Sequence, residues 1–159
     1  MPTDSIRLGP DLTLDRVRPD EIPALTRLKR AAYAPWLPIL GLEPLPYRAD
    51  YAALLVDHEA WFARDADGTE LGALVLGFPG DHVLIWSVAA SAAGRGIGRA
   101  LLSFAEAEAT RRSLGEVRLY TNALMARNIA LYRSLGYGET GRETTPDGRH
   151  VVHMSKRVA

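Results

Sequence analysis

The stretch that most limits how this chain can fold covers residues 83–102, VLIWSVAASAAGRGIGRALL. An apolar run, Val83-Leu84-Ile85-Trp86, passes through Ser87 and Val88 into small residues and then into Gly94-Arg95-Gly96-Ile97-Gly98. Apolar residues at helical spacing follow at once: Ile97, Leu101, Ala105 and Ala109 share one face. The pattern reads as strand, tight glycine turn, helix. The first N–H groups of a helix have no partner within it. The helix dipole adds positive potential at the same place, so this turn is suited to hold a phosphate.

Two common nucleotide fingerprints fail on this segment. The pattern G-x-G-x-x-G puts its last glycine on Arg99 when begun at Gly94, and on Leu101 when begun at Gly96. The Walker pattern needs Gly-Lys-Ser/Thr, and residues 83–102 contain no lysine. A helix start chosen for close packing also fits the glycines, so this segment by itself leaves both readings open.

Composition narrows the class. A chain of 159 residues suits a single domain, 1–159, with a substantial core. Its formal net charge of zero gives no support for general binding to nucleic acid or to an anionic membrane. With no cysteine, disulfides, thiol nucleophiles and thiolate metal sites are excluded. The opening MPTDSIRLGPD lacks the basic start and apolar core of a signal peptide, and no apolar run reaches membrane-spanning length. The expected location is cytoplasmic.

Taken in order, residues 1–11 read as a loose lead-in with Pro2, Gly9 and Pro10. In residues 12–18, Leu12 and Leu14 share a face with Arg16 and Arg18, while Val17 falls on the other face. A first strand is expected there, with its apolar side switching near Val17. Pro19 stops it, Asp20 is the expected N-cap, and a helix should reach Tyr33 with Leu25, Leu28 and Ala32 on its apolar stripe. Residues 34–47 hold four prolines in fourteen residues, yet also Trp36, Leu37, Ile39, Leu40 and Leu42. They predict a folded loop with one short helical turn, fitting a binding-site wall or a lid over the core equally well.

A second helix is expected over residues 48–56, then antiparallel strands over 61–64, 71–78 and 82–89, with a hairpin turn at Asp67-Gly68. The glycine-loop helix should run from Gly96 to Arg112, stop at Gly115, and feed a parallel strand over 116–121. A short helix closed by Gly136, and two strands joined through Pro146-Asp147-Gly148, complete the chain. The expected fold is α/β. It is a seven-stranded, mostly antiparallel mixed sheet with flanking helices and one βαβ crossover, between the fourth and fifth strands.

A second stretch, residues 119–137, reads LYTNALMARNIALYRSLGY. Asn128 and Tyr132 are four apart and share a helix face. Taken alone, Tyr132 reads as a packing tyrosine. Together the two stretches resemble motifs A and B of the GNAT N-acetyltransferases. Motif A is Arg/Gln-x-x-Gly-x-Gly/Ala; Gly96 and Gly98 fall on its glycines, and Ala93 stands where Arg or Gln is usual. The motif B tyrosine falls on Tyr132 and its Leu-Gly-Phe on Leu135-Gly136-Tyr137. Its asparagine falls on Met125; Asn128 is the nearest substitute on the helix, and Asn122 sits at the strand end. The resemblance spans residues 12–158. It implies the GNAT fold and an N-acetyltransferase that moves an acetyl group from acetyl-coenzyme A, its cosubstrate, to a primary amine of a small molecule or peptide.

The resemblance also implies roles. Backbone amides across Gly94, Arg95, Gly96, Ile97, Gly98 and Arg99 would hold the coenzyme pyrophosphate. The N–H of Val88 or Ala89 would face the thioester oxygen, where the family splays two strands apart. Asn128 and Tyr132 would lie beside the coenzyme, with Tyr132 protonating the departing thiolate as the one catalytic side chain. The family's usual glutamate position falls on Leu84. His82, Glu43, Asp50, His58, Glu59, His150 and His153 are base candidates among which the sequence does not choose, and an amine deprotonated by water needs none.

Tyr33, Trp36, Tyr47 and Tyr51 lie in a proline-broken segment that is the expected acceptor wall, closed against the last two strands. No metal, nucleic acid or membrane partner is expected, and a homodimer is left open. A non-catalytic coenzyme A-binding module of the same fold is the alternative, and retention of Tyr132 counts against it.

Overall fold

The computed structural model describes residues 5–90 and 95–158. In chain order the elements are β1 (Ser5–Gly9), β2 (Leu12–Arg16), α1 (Ile22–Tyr33), α2 (Leu37–Leu40), α3 (Leu45–Arg48), α4 (Tyr51–Leu54), β3 (Glu59–Arg64), β4 (Glu70–Gly77) and β5 (Val83–Ala90). There follow α5 (Ile97–Arg111), β6 (Glu116–Asn122), α6 (Ala126–Ser134), β7 (Gly138–Thr144) and β8 (His150–Arg157). The strands form one eight-stranded sheet in the order β1-β2-β3-β4-β5-β6-β8-β7. Neighbours are antiparallel except β5 and β6, which are parallel and joined by the α5 crossover.

The extra strand is β1. Ile6 pairs with Leu14 and Gly9 with Leu12, so part of the expected lead-in is a hairpin arm. An edge strand with one half-buried apolar residue carries almost no period-two signal, which is why its sequence reads as coil. The expected crossover between the fourth and fifth strands is the β5–β6 crossover once β1 is counted.

The switch near Val17 marks a sheet covered on both faces. Leu14 packs with Trp61, Leu74, Ile85, Leu101 and Ile129 beneath α5 and α6. Val17 packs with Leu25, Tyr51, Phe62 and Val75 beneath α1 and α4. Alternate residues of β3 feed alternate cores, Trp61 and Ala63 to one, Ala60 and Phe62 to the other.

Several local expectations are corrected. Asp20 is not an N-cap: Pro19–Glu21 forms a 3-10 turn before α1, and Arg18 Nε donates to the Asp20 carboxylate at 3.2 Å. The prolines of residues 34–47 do not prevent helix. Pro35, Pro38 and Pro46 each occupy an early position of a short turn, where their fixed φ fits and no N–H is needed. The helix expected over 48–56 is broken at Ala49 and Asp50. The Asp50 carboxylate instead caps α4, accepting from the N–H groups of Ala52 and Ala53 at 3.1 and 3.3 Å. Gly136 closes α6 with φ +98° as expected, but α5 ends at Ser113, φ 58°, rather than at Gly115. Leu114 N–H then reaches back to Ala109 O at 2.8 Å.

α1 also holds a surprise. Lys29 is fully buried, and its Nζ donates to Ala73 O at 2.9 Å. Among the described residues, no helix is long and apolar enough to cross a membrane.

Candidate active site

The site forms where the sheet comes apart. The β5–β6 ladder consists of Val83↔Val117, Leu84↔Arg118 and Ile85↔Leu119. Beyond it β5 continues to Ala90 and β6 to Asn122 without pairing to each other. On the opposite edge Val75 faces Ser87 and Leu76 faces Ile85, leaving Trp86 as an extra residue in β5. A bulge of this kind bends and over-twists its strand, and here it stands where the ladder to β6 ends. Close packing then fixes the free end of β5: a Cβ on Gly72 would lie 2.6 Å from Ala89 O and 2.9 Å from Ile97 Cγ2.

Two cavities open from this notch and share Tyr33, Val88, Asn128 and Tyr132. The smaller, about 610 Å³, is also lined by Ala32, Trp36, Ala89, Ala90, Gly98, Leu102 and Leu131. It leads to the first turn of α5. That helix starts at Gly96, φ +71°, with no side chain capping it. A Cβ on Gly98 would meet nothing within 4 Å, so the backbone is bare toward open space. Arg95 and Arg99 are exposed beside it. Gly94 lies outside the described residues.

The larger cavity, about 760 Å³ when, as for the smaller, the space out to open solvent is counted, runs the other way, beneath Leu40, Leu42, Pro44, Leu45 and Pro46 and against Trp86, Ser87, Tyr120, Asn122, Met125, Arg149 and Val151. At the junction the Tyr33 hydroxyl donates to Val88 O at 3.2 Å. Burial pushes the Tyr132 phenol up to about 12 and raises Tyr33 and Tyr120 as well. All three therefore keep their protons at neutral pH. The Ser87 hydroxyl is buried without a hydrogen-bond partner, a group that a bound ligand can satisfy.

A sequence profile described as the acetyltransferase (GNAT) family matches residues 24–137. The chain belongs to that family. It is an acetyl-coenzyme A-dependent N-acetyltransferase acting on an amine. No curated protein matches the chain. Among solved structures, the ribosomal-protein-S18-alanine N-acetyltransferase of Escherichia coli is similar at 19% identity and TM-score 0.73, over 93% of this chain and 94% of that one. A GNAT acetyltransferase from Elizabethkingia anophelis with acetyl-CoA bound gives 15% identity and TM-score 0.75, over 94% and 100%. Nourseothricin acetyltransferase gives 26% identity and TM-score 0.59, over 65% of this chain and 66% of that one. These likenesses concern the fold.

Seen as a GNAT chain, the residues present fit the cosubstrate. An uncapped helix N-terminus carries a bare Gly98 in its first turn, a cavity passing Ala89 and Ala90 leads inward, and an open strand edge lies beside Tyr132. The expected acceptor wall is only partly right. Trp36 lines the smaller cavity, on the coenzyme side. Tyr51 is core, its hydroxyl bonded to Pro46 O at 2.5 Å, and Tyr47 lies under the Arg30 guanidinium at 5.7 Å. Of the four aromatics, only Tyr33 reaches the junction. Closure is against β5, β6 and the start of β8 rather than against β7.

Apart from Glu43, the base candidates each have a structural partner for the side chain instead, Asp50 as the cap of α4. His58 and His82 pair with Asp57 and Asp81 at 2.6 and 2.9 Å, and His150 with Thr144 at 3.1 Å. His153 Nε2 lies 2.7 Å from Glu143 Oε1. Glu59 pairs with Arg112 at 2.7 Å, while Glu43 contributes its carbonyl to Arg149 at 2.7 Å. The sequence reading missed Tyr120 and Arg149 altogether. Arg149 follows a legible turn, but nothing local shows what its side chain reaches.

Proposed function

We propose that the four residues shared by the two cavities, Tyr33, Val88, Asn128 and Tyr132, mark the point of acetyl transfer. The smaller cavity then takes the coenzyme and the larger one the amine. Bound acetyl-coenzyme A supplies the activated acetyl thioester. The N–H groups across Arg95, Gly96, Ile97, Gly98 and Arg99 hold its pyrophosphate. Ala89 and Ala90 leave room along the strand edge.

In an extended strand, a residue's N–H and C=O point to the same side. Val88 turns its carbonyl to Tyr33, so its N–H is presented to the same junction. It can there stabilise charge building on the thioester oxygen. Tyr132 keeps its proton in this setting and donates it, or a strengthening hydrogen bond, toward the leaving sulfur. Asn128, one turn earlier on α6, orients the groups between the cavities.

The acceptor is a primary amine of a small molecule or of a peptide terminus. The carrying observation is that Tyr132 lines both cavities. The test is a thiol-release assay on an amine panel, with coenzyme A binding followed separately by calorimetry. Coenzyme binding without release against any amine would leave the binding-module reading. Sedimentation would decide whether the chain forms a homodimer, and fractionation whether it acts in the cytoplasm.

A further inference from the structure

On the reading just given, the acceptor enters through the larger cavity, and the charges there restrict its chemistry. Among the described residues lining that cavity, none is Asp, Glu, His or Lys, and the one ionised side chain is Arg149. The polar groups facing the junction are neutral: the phenols of Tyr33, Tyr120 and Tyr132, the unpartnered Ser87 hydroxyl, and the Asn128 amide. Of the titratable groups on the packed elements, Glu43 is exposed in the roof and holds Arg149 through its backbone carbonyl, and the others also lie outside the cavity. His153 of β8 stands behind the Tyr120 ring at 6.2 Å and is paired with Glu143. Asp147 is bound to Arg149 Nε at 2.8 Å, and Lys29 of α1 is turned to Ala73 O.

An alkylammonium entering this cavity would lose its water without meeting a free counter-charge, since the ionised side chain there, Arg149, already holds Asp147. A neutral amine loses far less and can share hydrogen bonds with the phenols and with Ser87. We propose that the acceptor is an apolar primary amine of low basicity, bound as the free base. An α-amino group on an apolar body belongs to this class; polyamines and lysine side chains do not. An α-amine titrates at about 8 and a lysine-type amine at about 10.4, so at pH 7.5 their neutral fractions differ on the order of two hundredfold.

The test is calorimetric titration of the coenzyme A-loaded protein with L-phenylalaninamide, 2-phenylethylamine and spermidine, in buffers of different ionisation enthalpy from pH 6.5 to 9. Binding of 2-phenylethylamine is expected to release close to one proton at pH 7.5. Its affinity should rise about tenfold per pH unit below the amine's own pKa. L-Phenylalaninamide should bind more tightly at pH 7.5 by roughly the ratio of neutral fractions, and spermidine should not bind. His153→Ala should leave these profiles unchanged. Binding without proton release, preference for spermidine, or failure of both apolar amines to bind would overturn the proposal. So would a common pH midpoint lost in His153→Ala, since that would reveal a resident base. Failure of coenzyme A itself to bind would instead overturn the active-site reading on which this rests.

Discussion

The two cavities that meet at Tyr132 are built in opposite ways. The coenzyme side is made of regular elements: the end of β5, the first turn of α5 and one face of α6. Its binding groups are backbone, left accessible by the small residues Ala89, Ala90 and Gly98. The acceptor side is roofed by residues 40–46, in short turns begun by prolines and tied down at long range by Arg149 Nη1 on Glu43 O at 2.7 Å. Its binding groups are side chains from five separate parts of the chain. A ligand common to a whole family can be held by N–H groups that every residue type supplies. A ligand particular to one member needs side chains, and these sit best on a segment that can vary without disturbing the sheet.

That contrast can be broken most sharply at the junction. Tyr132→Phe keeps the ring and removes the proton, so kcat should fall by about 10²–10⁴-fold, or somewhat less if the hydroxyl only hydrogen-bonds. Coenzyme A affinity, read by calorimetry, should hardly change. A variant that acetylates its acceptor at the parental rate from pH 6 to 9 would reduce Tyr132 to packing.

Next comes the coenzyme side alone. Gly98→Val places a branched side chain in space that is empty within 4 Å for a Cβ, so the fold should survive. Coenzyme A should bind more weakly by on the order of a hundredfold, equivalent to losing two charge-assisted hydrogen bonds of roughly 1.5 kcal/mol each. Unchanged affinity would remove the pyrophosphate from this turn.

A smaller effect separates the two walls. Trp36→Ala should weaken coenzyme A by about tenfold, given that burial of a large apolar side chain contributes roughly 1.5–3 kcal/mol. Leu40→Ala should instead raise the acceptor KM and spare the coenzyme. Equal losses for both ligands in either variant would show that the cavities are not energetically distinct.

The smallest effect on activity is expected at Lys29, in the core beneath α1, and its readout is stability. Burial lowers its ammonium to about 7 from 10.5. Between those values the unfolded chain binds more protons than the folded one. Stability from this group therefore rises with pH across that window, by about 1.4 kcal/mol per unit, and is flat on either side. Lys29→Met should raise Tm at neutral pH and flatten this slope in denaturant titrations between pH 7 and 10. An unchanged slope would mean that Lys29 is charged and solvated in the folded state.

Much of the coenzyme side was legible in the sequence because its signals are local. A strand, a glycine turn and a stripe at Ile97, Leu101, Ala105 and Ala109 lie within one continuous segment, and Asn128 and Tyr132 share a face by helical period alone. These patterns also determined the parallel β5–β6 crossover, because a strand–helix–strand run of that length closes in one way. The edge strand β1 escaped because it buries little, and one short turn was expected where α2 and α3 both form, because proline was taken as a breaker where it serves as a starter.

Only the tertiary structure decided the acceptor side. Trp36 and Leu40 are four residues apart, yet line different cavities. Lys29 lies in a core stripe where its charge argued for solvent. Arg149 reaches Glu43 across a sequence separation of 106 residues. Side-chain direction at the end of a turn depends on which distant backbone happens to be near, and no periodicity encodes that.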